Sequence, residues 1–485
     1  MATMPTPNPL TLSWLRERSA IKPDEAKGIF AFKIDGKRIR LSAGQVQDLL
    51  DHHSPGDDLY LSGADLSDIN LKDQLLAHNV DKTLPKPSSD ADAALSRPRG
   101  TLWLDHTDLR GALLSSVDLR FAHLDAADLR GAVLVGAHLQ GASLRGCNAG
   151  LPNSHDDHRG TDFSNARLHG ADLTGATLTR SIFSHAHLLP LRTQGSPLAP
   201  RKAQQQMSCA DLRWAKMEKA IFHAARLRGA RLDNAILTGA TFTQAHLSSV
   251  TFDGACLEGA DFSAARFYEE GQDNSPSFVG ASLEGVKLNA ASLHKTKLTR
   301  AGLAGADLRG AHLQGADLTG AHVEGKAMEP DALVRIRKII AAFPDALPPA
   351  NLEGAIFNRT TTLHGLTFGA PTYGAALVAD AVWGDAKLDV VDWEHVERIR
   401  LGEEIEAGRP KKGNGTAKIR SERVSEYRRA IRANRQLSLV LQEQGLSVES
   451  AHFAYHARLL EDDVIPLNGG RFARGRYVLS LILLR

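Results

Sequence analysis

Cysteine is nearly missing from this chain. Three stand among 485 residues, Cys147, Cys209 and Cys256, and none lies close to another. They offer no metal-type or redox-type pair, and their odd number argues against a disulfide framework, so a reducing compartment is expected. Aromatic residues make up only 6% while glycine numbers 42, which points to a thin core. An excess of one charge is missing too: 58 Lys and Arg against 56 Asp and Glu leave +2, no global push toward nucleic acid or a membrane. The first ten residues carry Pro and Thr but neither a basic start nor an apolar run, so no signal peptide is expected.

Recognisable chemistry is equally scarce. No nucleophile–base triad, supported carboxylate pair or Gly-rich cofactor loop stands out. Gly320, Gly325 and Lys326 fit a phosphate-loop spacing loosely, but the metal-binding hydroxyl position holds Ala327. His155, Asp156, Asp157 and His158 suggest metal by type, yet no partner cluster accompanies them. His123, His138, His187, His246 and His312 each precede a leucine and read as scattered surface groups. No catalytic, cofactor or metal residue is assigned, and no enzyme is expected.

What the chain does contain is a period of five. Between Ala301 and Val323 a bulky apolar residue recurs at Leu303, Leu308, Leu313, Leu318 and Val323, with a small residue two places before each, as at Ala306, Ala311 and Ala316. On an α-helix that series would drift around the cylinder, and on a flat strand it would alternate between faces. A coil that turns a corner every five residues fits instead, with the large and small residues pointing inward and stacked coils burying them together. The central residue keeps its register from Leu104 to Leu144, Phe163 to Leu188, Leu212 to Phe267 and Leu283 to Val323. The pattern resembles the pentapeptide-repeat family, whose motif is A(D/N)LXX. The resemblance implies a mainly β fold: a right-handed quadrilateral β-helix with about four pentapeptides per coil. Asp108, Asp118, Asp128, Asp307 and Asp317, beside the buried leucines, are expected to accept backbone N–H bonds at corners.

Three domains follow. Residues 1–57 are a small α/β cap: a helix after Thr11 or Ser13, a hairpin around Asp35 and Gly36, and a helix capped by Ser42. Residues 58–395 form the β-helix, beginning with Leu61, Leu66 and Leu71 and closing with Trp383, Leu388 and Trp393. Insertions interrupt it near 76–100, 146–160, 190–207, 269–278 and 326–350; the last reads as a helix from Pro330. Residues 396–485 are a basic linker and a C-terminal α-helical hairpin of about Ser421 to Gln444 and Val448 to Asp462, turned at Gly445, with a short apolar tail.

That last part resembles a subset of bacterial pentapeptide-repeat proteins whose hairpin leads into transmembrane, potassium-channel-like helices. The matching residues are Trp383, Trp393, NRQLSLVLQEQG and FAYHARLLE. The departure is the tail, where the apolar run Tyr477 to Leu484 is far short of the ~20 residues of a spanning helix. From Arg409 to Arg435 stand ten Lys and Arg and two acids. Arg428, Arg429, Arg432, Arg435, Arg471, Arg474 and Arg476 are the candidate contacts to a membrane or partner. The expectation is a non-enzymatic scaffold for a protein partner, cytoplasmic or peripheral to the inner membrane, needing no cofactor. A homodimer and an anionic membrane stay open as partners, and nucleic acid is disfavoured because no aromatics interleave the basic run. The alternatives are the cytosolic regulatory part of a channel-like membrane protein, truncated before its transmembrane helices, and, behind it, a DNA-mimicking topoisomerase inhibitor.

Overall fold

The structure is a computed structural model that describes residues 11–24, 30–34, 37–54, 57–74, 76–82, 84, 98–150, 160–189, 191–194, 205–267, 275–324, 326–327, 346–347, 349–370, 374–393, 396–411 and 416–467. The chain forms two compact units, Met1–Thr251 and Phe252–Arg485.

In the first unit the five-residue period comes from one repeated turn. Leu109 C=O accepts the N–H of Ala112 at 3.1 Å, and Gly111 between them sits at φ +64°. That is a turn whose third residue needs positive φ, which glycine adopts without a Cβ penalty. The residue before each central leucine forms a parallel bridge to the coil above. Trp103 pairs with His123, Asp108 with Asp128, Leu113 with Val133 and Asp118 with His138. Partners are twenty residues apart, so four five-residue units complete one coil. Each turn of the chain therefore offers its neighbours a short parallel rung on every side, and the ladder substitutes for long strands.

The central leucines and preceding alanines are fully buried. In four successive coils of this unit phenylalanine takes a central place and stacks on the phenylalanine of the next coil. Phe163, Phe183, Phe222 and Phe242 lie at successive centroid distances of 4.9, 4.8 and 4.7 Å, with planes within 9° of parallel. These distances match the strand spacing of ~4.8 Å, so backbone pairing and ring packing impose the same rise.

The start of this unit is closed by the cap. Thr11 Oγ1 accepts the N–H of Trp14 at the head of α1 (Leu12–Ser19). Ser42 and Gln45 form a capping box on α2 (Ala43–Asp51). Lys33–Ile34 pairs antiparallel with Lys37–Arg38; the turn residues Asp35 and Gly36 lie outside the described residues. The hairpin then runs into the first coil, where Phe32 N–H bonds Ser62 C=O and Leu41 N–H bonds Asp65 C=O. A short helix, α3 (Leu76–Val80), follows the first repeats. The insertion near 190–207, expected as a loop, has paired ends: Leu191–Gln194 runs antiparallel to Gln205–Ser208.

The second unit repeats the coil. Leu303, Leu308, Leu313 and Leu318 and the companions Ala306, Ala311 and Ala316 are all buried. Ser277 and Phe278, assigned from sequence to the insertion near 269–278, belong to the ladder instead: Ser277 bridges Lys297 and Phe278 stacks on Phe252 at 4.8 Å. The helix expected from Pro330 lies outside the described residues, although its flanks Lys326–Ala327 and Ala346–Leu347 pair antiparallel. Beyond Trp393 the ladder continues, because Leu401 bridges Ala375. Three helices follow: α4 (Gly402–Gly408), α5 (Arg420–Glu443) and α6 (Ser447–Leu467). Gly445, at φ +80°, turns α5 into α6, and Ser438 and Ser450 exchange hydroxyl-to-carbonyl bonds between the two helices at 2.9 Å. Among the described residues no helix is long and apolar enough to cross a membrane.

Candidate interaction surfaces

Outward slots in the coils carry the surface chemistry, and much of it is spent locally. Wherever a unit reads Asp-Leu-Arg, the two charged residues clip together. Asp108 accepts from the backbone N–H of Arg110 at 3.2 Å, from its Nε at 2.8 Å and from its second guanidinium nitrogen at 2.7 Å. Asp118 with Arg120, Asp128 with Arg130, Asp211 with Arg213 and Asp307 with Arg309 repeat the arrangement. The geometry follows from sequence, since residues two apart on one straight side point the same way. Burial pushes Asp108, Asp211 and Asp307 up, but the bonds from their arginines outweigh it and hold each below the usual carboxylate range. Asp317 uses Thr319 in the same way, with N–H and hydroxyl bonds of 3.0 and 2.6 Å. The expected corner role of Asp108, Asp118, Asp128, Asp307 and Asp317 is thus what the hydrogen bonds describe.

The histidines expected to be scattered are partly aligned. His138, Arg167, His187, Arg226 and His246 are joined by successive parallel bridges into one column of the first unit. Burial first, then the charge of Arg167, pushes the His138 imidazole down to about 4, so it is neutral at pH 7. The adjacent column, one corner earlier, is Val133, Asp162, Ile182, Ile221 and Thr241. His123 belongs to a different column, stacked on Trp103 at 3.8 Å, and His312 lies in the second unit. Trp214 is 61% exposed at a corner where φ is +61°. The equivalent place one coil earlier is Gly175, at +67°. A tryptophan there carries the left-handed penalty that glycine avoids.

The basic C-terminal segment is largely turned onto its own protein. Arg429 faces Glu353 and Glu406 at 3.4 and 3.7 Å, Arg432 faces Asp380 at 3.7 Å, and Arg435 pairs with Glu461. Arg428 is exposed. Arg471, Arg474 and Arg476 lie outside the described residues. Sequence reading missed the buried acids beneath this helix. Glu403 Oε1 accepts the N–H groups of Val378 and Ala379 at 2.6 Å each. Glu404 accepts from Asn434 at 3.0 Å, and its other oxygen meets His456 Nδ1 at 2.8 Å. Gln436 Oε1 takes Asp380 N–H, while Gln444 takes Leu388 N–H and donates to Ala386 C=O. These side chains supply the partners that another coil would have supplied. The cue available in sequence was the pair Glu403 and Glu404 followed by two glutamines eight apart, Gln436 on α5 and Gln444 at its C-terminal cap, a weak signal without the register.

Among the described residues no group of histidine, cysteine and carboxylate side chains could hold a metal ion. Gly320 occupies an ordinary corner at φ +61°, so its phosphate-loop spacing is a by-product of the repeat. Burial drives the Cys147 thiol up to about 12, which leaves it unreactive at neutral pH.

The family model of pentapeptide repeats matches eight copies in this chain, over residues 103–131, 112–148, 157–188, 206–244, 225–263 and 287–325. No curated protein sequence matches it. Among solved structures, the chain is similar to HetL, a pentapeptide repeat protein involved in heterocyst differentiation regulation from the cyanobacterium Nostoc sp. strain PCC 7120. The identity is 24%, over 58% of this chain and 96% of that one, with a TM-score of 0.24. It is also similar to full-length QnrB1, a plasmid-mediated fluoroquinolone resistance protein, at 17% identity over 52% and 88% of the two chains, TM-score 0.17. A third is a pentapeptide repeat protein of the Arabidopsis thaliana thylakoid lumen, at 25% identity over 27% and 72%, TM-score 0.15. The likeness to pentapeptide repeats rests on the repeat match, which covers the repeat blocks.

Proposed function

Because the repeat blocks of this chain belong to the pentapeptide-repeat family, we propose that it is a non-enzymatic scaffold that holds a protein partner on the outward columns of a right-handed, four-sided β-helix, capped at its end by the helical hairpin. The observation that carries this reading is the Asp–Arg clip. Five Asp-Leu-Arg units neutralise their own carboxylates, so the ladder presents a rigid surface of low net charge. A DNA mimic needs the opposite, a run of unpaired acids. The protein is expected to leave topoisomerase supercoiling unchanged. The scaffold itself is tested by photo-crosslinkers placed on outward slots of the full chain in its native cells. Adducts to one protein from neighbouring columns support it, and their absence from every column sinks it.

A location in the cytoplasm, peripheral to the inner membrane, belongs to the same proposal and draws on Arg428 and the basic tail. Sedimentation with anionic vesicles should then be reversed by salt, which screens such attraction over ~10 Å at 0.1 M. A second reading, the regulatory arm of a channel-like membrane protein, is favoured by the last coils, which carry Trp383 and Trp393 and lead into α5 and α6. A reading frame that continues past Arg485 into apolar helices would favour it over the free scaffold.

A further inference from the structure

Carboxylates are unevenly distributed around the coils of the first unit. From Val133 and His138 onward, two adjacent columns are built from residues 132–141, 161–170, 181–189, 220–229 and 240–249; the rungs before them are Leu113 and Asp118. Those stretches contain a single carboxylate, Asp162, whose Oδ1 accepts the N–H of Ser164 at 2.9 Å. They contain three arginines, Arg167, Arg226 and Arg228, and six histidines. The other two columns of the same coils hold Asp125, Asp128, Asp172, Asp211, Glu218 and Asp233, interleaved with bases. Between Asp172 and Asp211 the sequence has no acidic residue at all. The repeat motif itself favours Asp before the central leucine, and other columns use it freely. In one column Asp stands only at Asp118, clipped to Arg120, and His or Arg replaces it at the five rungs that follow.

Each half of this surface has its own character. The bridged column His138, Arg167, His187, Arg226 and His246 rises one strand spacing per step, about 19 Å over four steps. Across the shared corner the side chains are mostly β-branched; Ile182 is buried, while Ile221 is 37% exposed and Leu113, the rung before Val133, is 45% exposed. Cationic and apolar strips side by side, on a backbone locked by ladder bonds, need little reorganisation to bind.

We propose that these two columns form a docking surface for an acidic polypeptide segment with apolar residues interspersed, its carboxylates against Arg167, Arg226 and Arg228 and its apolar side chains against Leu113, Val133 and Ile221 of the neighbouring column. This deepens the scaffold reading and rests on it, naming the side that binds and the chemistry of the partner. Charge complementarity selects the occupant: a second copy of this chain brings clipped, near-neutral Asp–Arg units, and a nucleic acid strand would leave the apolar strip unused.

The test is fluorescence anisotropy with the full chain and a labelled synthetic peptide of Glu residues interspersed with Leu. Binding should weaken as salt rises. The triple reversal Arg167→Glu, Arg226→Glu, Arg228→Glu should cost about tenfold or more in affinity. The triple Arg180→Glu, Lys216→Glu, Lys219→Glu makes the same charge change on a different column of the same unit and should cost about threefold or less. Thermal melts check folding, and the milder Arg167→Gln, Arg226→Gln, Arg228→Gln triple carries the test if the reversals do not fold. Equal losses in both triples, no binding by the wild type, or equally tight binding of a Gln-for-Glu peptide overturns the proposal. An oligothymidylate that binds more tightly than the peptide through the same arginines overturns it as well, in favour of nucleic acid. Failure here with crosslinks still found on other columns refutes this surface and leaves the scaffold standing.

Discussion

Replacing Glu403 by glutamine should make the end of the second unit more stable at neutral pH, and the gain should vanish in acid. The side chain is 1% exposed, and its Oε1 holds the N–H groups of Val378 and Ala379. Among the described residues Oε2 has no hydrogen-bond partner. Burial pushes its pKa from 4.5 up to about 7, against the pull of backbone bonds and of Arg429. Between those two pH values the folded chain holds a proton that the unfolded chain has released. Stability from this group is therefore fully present below about 4.5 and is lost as pH rises through about 7. At about 1.4 kcal/mol per pH unit, the whole loss is about 3 kcal/mol. Glutamine keeps the carbonyl acceptor and cannot ionise. Hydrogen exchange of peptides spanning Val378 and Ala379 is the assay, because a chain of two compact units need not unfold in one step. Taking the difference between wild type and Glu403→Gln cancels every other titrating group. The variant's advantage should grow by about 3 kcal/mol from pH 4.5 to pH 8. A difference that stays flat with pH, or a variant less protected at pH 8, would refute the reasoning.

Three further outcomes follow from the coils. Phe222→Ala removes a ring stacked between Phe183 and Phe242 and should cost about 3–5 kcal/mol in denaturant melts of the full chain. Arg120→Ala leaves Asp118 buried without its guanidinium and should cost about 3–5 kcal/mol; Arg309→Ala, at the same motif but half exposed, should cost about 1 kcal/mol or less in the same melts. Trp214→Gly relieves a left-handed tryptophan and should stabilise by about 1 kcal/mol, read as a raised melting temperature.

The period was legible because each unit solves the same local problem. A turn closes on every central residue, so Leu303 and its successors announce the coil without any long-range information. Which outward residues share a column was not legible. Insertions change the count between rungs: His138 to Arg167 spans 29 positions and His187 to Arg226 spans 39, where an uninterrupted coil takes 20. Numerical spacing therefore scattered histidines that backbone pairing aligns. The C-terminal segment misled for another reason. Ten basic residues between Arg409 and Arg435 dominate its composition, while the acids that receive part of them, Glu353, Asp380 and Glu406, are far away in sequence or look like ordinary solvent-facing helix residues. Ser277 and Phe278 were lost to an insertion because Pro276 stands where the repeat normally has alanine.

The side chains that meet the last coil have a consequence for growth. A stack of identical rungs ends in open amides and carbonyls, and such an edge can recruit another molecule and extend into a fibre. Here Val378, Ala379, Asp380 and Leu388 already donate to Glu403, Gln436 and Gln444. These three side chains bond without offering a new rung in return, so elongation from this end is terminated by the chain that made it.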